Sequence, residues 1–474
     1  MGEEIRRLRF TPRDFAAYHD RLLAETRLLG RMLDGGRFDE SSHVGGFELE
    51  AWLLDHSGYP APDNERFLAR LANPMVVSEL SRFNVELNGT PQTLRGRALR
   101  ALEDELAGNW QHCLRAAHEL EGTLVAIGIL PTIREEDMCL ANMSPMNRYY
   151  ALNEQVLAAR CGRPIRLDIR GRERLVLAHP DVMLEAATTS FQVHLQAPAS
   201  QACRYFNASA ILSAPMVAVS ANSPFLFQAS LWEETRIPLF EQAVDTSDLG
   251  HPDDCRVTFG ERWLETSVLE IFEDNLHRFA TLLPIAFDSP ASELRHLRLH
   301  NGTIWRWNRP LVGFDASGTP HVRVEHRVMP AGPSIVDMMA NAALYFGAAR
   351  VLATRPCAPE SDMPFDVARD NFYRAARDGL HAQVRWFDGR THPVRALLAD
   401  ELVPMARTGL RALGIDEDDI DRYLDVIAAR VRTGQNGAAW QRAHVDAHGR
   451  EFLTLVADYL EHQRSGMPVH EWPV

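Results

Sequence analysis

Four short segments of the chain alternate polar and apolar residues, with ionisable side chains at every second position. A β-strand sends successive side chains to opposite faces, so each segment is predicted to be a strand with one polar face. On the first of these strands Glu48 and Glu50 share that face. The polar faces of the other three carry Asn84, Glu86 and Asn88; Gln192, His194 and Gln196; and His321, Arg323, Glu325 and Arg327. If the strands lie side by side, these side chains converge on one sheet surface.

Longer stretches have the spacing of amphipathic helices. Helices are predicted over residues 14–33, 94–122, 147–161 and 203–220, and strands over 123–130 and 165–169. From residue 334 the chain is predicted to be helical to its end, in helices over 334–352, 366–379, 393–413, 417–433 and 437–463. Strands and helices without regular βαβ alternation indicate an α+β fold with an antiparallel sheet. We expect one body over residues 1–354 and a helical C-terminal extension over 355–474 packed on it.

Composition and charge narrow the class of protein. The 474 residues are 46% hydrophobic and 24% charged, which is ordinary for a globular protein with a core. A net charge of −14 argues against a general nucleic-acid binder, which needs a basic surface. No secretory signal is visible, the run judged most apolar, Ala208 to Val219, is too short to cross a bilayer, and the six cysteines show no zinc spacing. We therefore expect a cytoplasmic protein with reduced cysteines and neither a membrane nor a nucleic-acid partner.

The chain contains no lysine, so all 50 basic residues are arginines. This excludes a P-loop lysine, a Schiff base and a lysine general base. A protein of this composition that handles a nucleoside triphosphate must neutralise the phosphates with arginines and metal ions, and the planar guanidinium group grips two oxygens at once.

The acidic side chains of the predicted strands suit hard divalent cations. Glu48, Glu50, Glu86 and Glu325 offer carboxylates and His194 an imidazole, and Mg²⁺ and Mn²⁺ prefer carboxylate oxygens. Each strand alone carries little weight, because sheets with one solvated face show the same alternation. The direction of a further acid, Glu79, cannot be read from its surroundings.

The ordered set of these segments resembles the glutamate–cysteine ligase superfamily, and in particular its bacterial carboxylate–amine ligase branch. The resemblance spans residues 44 to 348. It is carried by residues 47–50, by two glutamates seven residues apart, by residues 189–194 and by residues 323–327, with residues 220–224 (Ser-Ala-Asn-Ser-Pro) as a further family-like segment.

The resemblance implies a glutamine synthetase-like fold, in which a curved antiparallel sheet forms a funnel. It also implies binding of ATP and Mg²⁺ or Mn²⁺, and joining of a carboxylate to an amine through an acyl phosphate, with synthesis of γ-glutamylcysteine as one candidate reaction. Glu325 and Arg327 would be catalytic, and Arg323 and Arg327 would bind the nucleotide. The metal ligands implied by the resemblance are Glu48, Glu50, Glu79, Glu86, His194 and Glu325.

The segment from Trp305 to Pro310 supplies candidates for substrate binding. From residue type and position, Arg306 or Arg309 is expected to grip a substrate carboxylate. The alternative is a packed aromatic strand with surface arginines.

Two other functions stay open at this point. One is phosphoryl transfer alone, to a guanidino or carboxylate substrate. The other is a non-catalytic nucleotide- or metal-binding regulator. For a ligase, the expected partners are small-molecule amino acids or amines, and the sequence does not decide whether the chain forms a homo-oligomer.

Overall fold

The protein was analysed as a computed structural model that describes residues 4–5, 7–41, 43–246 and 255–474. Its strands are β1 (Val44–Asp55), β2 (Val76–Ser78), β3 (Asn84–Asn88), β4 (Gln92–Thr93), β5 (Gly122–Val125), β6 (Ile165–Arg170), β7 (Arg174–His179), β8 (Phe191–Gln196), β9 (Phe225–Leu226), β10 (Ala229–Ser230), β11 (Val257–Thr258), β12 (Trp305–Arg306), β13 (Asn308–Phe314), β14 (Pro320–His326), β15 (Gln383–Arg385) and β16 (Thr391–Pro393).

The helices surround one large sheet. They are α1 (Pro12–Asp34), α2 (Asn64–Leu71), α3 (Ala98–His118), α4 (Asn147–Ala159), α5 (Ala202–Ser220), α6 (Arg236–Ala243), α7 (Leu269–Arg278), α8 (Arg295–Gly302), α9 (Ile335–Ala353), α10 (Phe365–Asp378), α11 (Val394–Leu397), α12 (Val403–Leu413), α13 (Glu417–Thr433), α14 (Gly437–His448) and α15 (Phe452–Ser465).

The large sheet has eight strands and is antiparallel throughout. Its order is β13-β14-β8-β1-β3-β2, and β4 and β5 both pair with β1, which is long enough to pair with several partners along its length. Strands distant in sequence are therefore neighbours, and the predicted α+β fold with an antiparallel sheet is confirmed.

Alternation along the strands separates the two faces of the sheet. On β14, Val322 and Val324 point away from the polar face and join a hydrophobic cluster with residues of α1, α5 and α7. On β1, Leu49 and Ala51 lie in the main hydrophobic core. Burial of one face fixes the register, because a slip of one residue would exchange the two faces.

Helix α9 is the central helix of the core. It begins with a capping box in which the Ser334 side chain accepts a hydrogen bond from the backbone of Asp337, and the Asp337 carboxylate accepts one from the backbone of Ser334. It is also the one helix among the described residues long and apolar enough to span a membrane, but 83% of that stretch is buried inside the fold, as in a core helix. The buried Arg430 of α13 pairs with Asp337 at 2.7 Å and ties the C-terminal helices to α9.

Helix α12 also packs directly on α9. A methyl carbon added to Gly409 would lie 1.9 Å from the carbonyl oxygen of Gly347, so the two backbones touch at a pair of glycines. The predicted division at residue 354 stays a prediction.

Several predicted bounds need correction. The helix predicted over 437–463 is two helices, because the chain turns at Gly449, where φ is +81° and glycine is the residue that adopts this conformation without strain. The C-terminal part is not helical throughout, since β15 and β16 form a hairpin. The strand predicted over 123–130 ends at Val125, and β6 pairs with a strand that was not predicted, β7.

Candidate active site

Strand register brings the predicted ligands together on one face of the large sheet. Glu50 on β1 lies opposite Glu86 on β3, and Glu48 lies opposite Gln192 on β8. On the other side of β8, His194 lies opposite Glu325 on β14. Side chains opposite each other in a sheet share a face, so four strands present their polar positions to the same space.

The centre of this face is a cluster of Glu48, His194 and Glu325. One ligand atom from each lies within 4.8 Å of the other two. The Nε2 atom of His194 is 3.6 Å from a carboxylate oxygen of Glu48 and 3.8 Å from one of Glu325. These separations are too long for hydrogen bonds and leave room for an ion between the groups.

Glu325 is held by two arginines. The Nε and Nη2 atoms of Arg309 donate to its two carboxylate oxygens at 2.6 and 3.0 Å, and Nη1 of Arg327 lies 3.2 Å from one of them. Burial by itself would raise the pKa of Glu325, but the charges of Arg309 and Arg327 lower that pKa well below its ordinary value. Glu325 therefore stays ionised although it is fully buried.

A chain of hydrogen bonds runs from Arg327 back to β1. Arg327 donates to the side-chain oxygen of Gln192 at 2.6 Å, and Gln192 donates from its amide nitrogen to Glu50 at 2.8 Å. The backbone nitrogen of Ser190 donates to the other oxygen of Glu50 at 2.7 Å. Gln192 thus bridges the guanidinium group of Arg327 and the carboxylate of Glu50.

A cavity of about 410 Å³ opens over this face. Its acidic lining includes Glu48, Glu50, Glu79, Glu86 and Glu185, and its basic lining includes Arg148, Arg295, Arg298, Arg309, Arg323 and Arg327. The glutamates come mainly from the β1–β3 side of the sheet, and three of the six arginines, Arg309, Arg323 and Arg327, lie on or directly after β13 and β14. A cavity of this polarity suits a ligand that carries several negative charges together with divalent cations.

The acidic side of the cavity resists ionisation in the absence of cations. Burial raises the pKa of Glu48 and of Glu79 well above the ordinary value, and the neighbouring Glu86 raises both further. Burial also raises the pKa of Glu50, with Arg327 acting in the opposite direction. Burial lowers the pKa of His194 to about 3, and Arg323 adds to this effect, so the imidazole is neutral at pH 7.

Most of the sequence matches a known family. The model of glutamate–cysteine ligase family 2 (GCS2) matches residues 44–457. The chain belongs to this family. The match includes most of the C-terminal helices, which the resemblance seen in the sequence did not reach.

Solved structures of glutamate–cysteine ligases and related enzymes share the fold. The chain is similar to the glutamate–cysteine ligase of Francisella tularensis, solved in complex with AMP, with a TM-score of 0.60 and 13% identity over 92% of this chain and 91% of that one. It is also similar to a bifunctional glutathione synthetase from Pasteurella multocida, with a TM-score of 0.50 and 10% identity over 94% of this chain and 55% of that one. No curated protein matches the sequence. The predicted glutamine synthetase-like funnel is confirmed.

The donor atoms of this family-2 site fit a divalent cation. Among the described residues, Oε2 of Glu48 and Nε2 of His194 are buried without a hydrogen-bond partner, although buried polar atoms in proteins are nearly always paired. Arg323 donates from Nε to Nδ1 of His194 at 3.1 Å, which places the imidazole proton on Nε2. If a cation binds Nε2, the imidazole proton must move to Nδ1. Nδ1 can then no longer accept the hydrogen bond from Arg323, so Arg323 has to release it.

Glu79 and Glu86 also face the cavity. Glu79 follows directly after β2, and its carboxylate accepts a hydrogen bond from the backbone nitrogen of Leu80 at 3.2 Å. Glu86 is fully buried on β3 and accepts one from the side chain of Asn88 at 3.0 Å. All six predicted metal ligands thus lie at one site.

The two predicted substrate arginines lie in different surroundings. Arg306 does not line the cavity in the described part of the chain, because its guanidinium group donates to Asn275 at 3.1 Å and stacks 5.7 Å from the ring of Phe279. Arg309 does line the cavity, but its forked donors hold Glu325. In this geometry Arg309 holds Glu325, and substrate binding by Arg306 or Arg309 stays a prediction.

Three of the charged cavity residues that were not predicted are Glu185, Arg295 and Arg298. Glu185 lies in a 3₁₀ helix, Val182–Ala187, and burial together with the charge of Glu50 raises its pKa to about 8. Arg295 and Arg298 lie on α8 at the cavity wall. None of the three sits in an alternating strand, so the pattern that indicated the predicted metal ligands does not extend to them.

Proposed function

We propose that this protein is an ATP-dependent carboxylate–amine ligase that acts through an acyl phosphate, with glutamate and cysteine as the first substrate pair to test. The observation that carries the proposal is the cluster of Glu48, His194 and Glu325 beside Arg327, in a chain that matches glutamate–cysteine ligase family 2 over residues 44–457. The AMP bound to the Francisella tularensis enzyme supports nucleotide binding by this fold.

Six side chains would hold Mg²⁺ or Mn²⁺: Glu48, Glu50, Glu79, Glu86, His194 and Glu325. When bound, the cations would offset the charge of the nucleotide phosphates. The raised pKa values of Glu48, Glu50 and Glu79 agree with this role, because carboxylates crowded in a buried cavity need a nearby positive charge in order to ionise together.

The reaction has two steps. An oxygen of the substrate carboxylate attacks the γ-phosphorus of ATP; the new oxygen–phosphorus bond forms as the bond to ADP breaks. The amine then attacks the carbonyl carbon of the acyl phosphate; a carbon–nitrogen bond forms, phosphate leaves with the electron pair of the carbon–oxygen bond, and the amine nitrogen loses a proton. Phosphorylation is needed because an unmodified carboxylate has no adequate leaving group.

In this proposal Arg327 would stabilise the transferred phosphoryl group. Its guanidinium group is buried between Glu325 and Gln192 and lines the cavity. An arginine that stabilises the charge of a phosphoryl-transfer transition state is worth about 10³-fold or more in rate. Arg323, two residues before Glu325 on β14, would provide a second cation for the nucleotide once it releases His194.

Burial of the site would limit the access of water to the intermediate. Most side chains around the cluster have little solvent exposure, and Glu86 and Glu325 have none. A site closed to water is required, since an acyl phosphate exposed to water would hydrolyse before the amine attacks it.

The test is turnover with pairs of substrates. The purified protein is incubated with ATP, MgCl₂ or MnCl₂, and pairs of amino acids, starting with glutamate and cysteine, and release of ADP and phosphate is measured with each partner alone and with both. Release that requires both partners supports the ligase. Release with one partner and a stable phosphorylated product would instead indicate a phosphotransferase.

Glu325→Gln is the matched variant for this assay, because it keeps the size of the side chain and removes the negative charge. It should abolish turnover. Full turnover by the variant, or no ADP release with any pair tested, would contradict the proposal. The cytoplasmic location and any homo-oligomer stay predictions.

A further inference from the structure

The short helix α6 lies behind the catalytic arginine and contacts it at two points. The Nη2 atom of Arg236 donates to the carbonyl oxygens of Arg327 at 3.1 Å and of Val328 at 2.8 Å. One turn further along α6, the ring of Phe240 lies 5.9 Å from the guanidinium carbon of Arg327. Residues four apart share a helix face, so one face of α6 supports both the backbone and the side chain of Arg327.

Arg236 replaces hydrogen bonds that the sheet does not supply. Strand β14 ends at His326, and the backbone nitrogen of Trp307, which faces Arg327 in the β13–β14 register, donates to Thr258, so it does not serve the carbonyl oxygen of Arg327. Buried carbonyl groups require a donor, and here a single guanidinium nitrogen serves two of them. The backbone nitrogen of Arg327 is held separately, since it donates to the carbonyl oxygen of Trp307 at 3.0 Å.

Arg236 is itself fixed by the family-like segment at residues 220–224. Its Nε atom lies 3.3 Å from Glu234, and the two side chains are 2% and 0% exposed. Glu234 accepts hydrogen bonds from the backbone of Asn222 and the hydroxyl of Ser223, both at 2.8 Å. The guanidinium group also lies 5.5 Å from the ring of Trp307.

We infer that Arg236 is a positioning residue for catalysis: it clamps the backbone at Arg327 so that the Arg327 guanidinium group stays between Glu325 and Gln192. The inference rests on the proposed function for its kinetic consequence. Arg236 does not line the cavity in the described part of the chain, so its effect passes through Arg327.

The first variant is Arg236→Lys, which keeps a positive charge near Glu234 and loses the forked donor. A misplacement of about 1 Å at a catalytic group costs about 100-fold in rate, so we expect kcat to fall about 10- to 100-fold with KM for the amino acids little changed. The matched control is Arg430→Lys. Arg430 is equally buried, pairs with Asp337 and donates to a backbone carbonyl, but it lies outside the cavity. It should lower the thermal midpoint similarly and leave kcat unchanged.

A double variant separates positioning from loss of stability. In an Arg327→Ala background the residue that Arg236 positions is gone. Adding Arg236→Lys should therefore lower kcat by a further factor of less than about three. If it lowers kcat by the same factor in both backgrounds, Arg236 acts independently of Arg327 and the inference is wrong. If Arg236→Lys does not fold, the pair Glu234→Gln and Arg236→Gln removes both buried charges and serves in its place.

A crystal structure of the variant tests the inference without turnover. The separation between Nη1 of Arg327 and the Gln192 oxygen, 2.6 Å here, should lengthen beyond hydrogen-bond distance. An unchanged separation would overturn the inference even in an active enzyme. A displaced Arg327 in a protein that turns over no substrate pair would uphold the clamp and refute the proposed function.

Discussion

The ion pair between Arg309 and Glu325 makes the most direct prediction about the site. Arg309→Met removes a guanidinium group that makes two hydrogen bonds to Glu325, at 2.6 and 3.0 Å, with side chains that are 1% and 0% exposed. Removal of one partner of a buried pair costs about 3–5 kcal/mol, because the other charge is left unpaired. Arg327 still lies 3.2 Å from Glu325, so we expect the lower end, a loss of about 3 kcal/mol in the free energy of unfolding.

The measurement is urea unfolding at pH 7 in a buffer that contains a chelator, with the loss taken from the shift in midpoint and the slope. Arg174→Met is the matched control: Arg174 makes the same two-fold contact with Asp168, at 2.8 and 2.7 Å, but on the surface, where water screens the pair. It should have little measurable effect. The double variant Arg309→Met with Glu325→Gln removes both charges and should recover about 1–2 kcal/mol of the loss.

The pH dependence has a definite sign. The pKa of Glu325 is lowered in the folded protein, so its contribution to stability is present above the ordinary value of 4.5 and is lost as the pH falls below it. Arg309→Met should weaken this dependence. If Arg309→Met and Arg174→Met lose the same small amount of stability, the buried charge of Glu325 does not depend on Arg309, and the argument for its ionised state fails.

Four further predictions concern single side chains. Glu48→Gln should abolish most of the stabilisation by MnCl₂, about 2.7 kcal/mol at a hundred times Kd, measured as the rise in thermal midpoint; an equal rise in the variant would contradict its role as a ligand. His300→Gln should flatten the loss of stability between pH 6.5 and 4 by up to about 1.4 kcal/mol per pH unit, because burial lowers the pKa of His300 to about 4 and the unfolded chain takes up the proton first; urea unfolding across this range checks it, and an unchanged slope would be contrary evidence. The native protein should lose stability as the pH rises from 4.5 to 8 in chelator, because the unfolded chain releases the proton of Glu185 first while the folded chain keeps it up to about pH 8. Glu185→Gln should lose less stability over this range, and parallel curves of stability against pH for the two proteins would refute this. Arg306→Lys should leave KM for both substrates unchanged, and a large rise in KM would indicate that Arg306 binds a substrate.

The polar face of the sheet could be predicted because a strand leaves no choice about side-chain direction. Once Leu49 and Ala51 are assigned to the core, Glu48 and Glu50 must lie on the other face. The same rule holds for His194 and Glu325, and the register then places them opposite each other. Which strands become neighbours is not local information, and the family resemblance supplied it.

The arginines show the limit of this reasoning. Arg306 and Arg309 lie three residues apart on two separate strands, and an odd separation puts neighbouring side chains on different faces when the chain stays extended. The prediction treated them as interchangeable. Glu185 lies in a 3₁₀ helix and the hairpin of β15 and β16 turns at Gly389, where φ is +73°; neither feature has an alternating pattern long enough to be read from sequence.

The glycine pair where α9 and α12 touch bears on any attempt to shorten the protein. A truncated chain that stops at residue 354 would lose the cover from one side of α9 and leave an apolar helix facing water, so we expect insoluble material from it. Even a single methyl group at Gly347 would meet the carbonyl oxygen of Ala406 at 2.2 Å and push the helices apart. Engineering of a smaller ligase should therefore begin at loops on the rim of the funnel and keep the C-terminal helices whole.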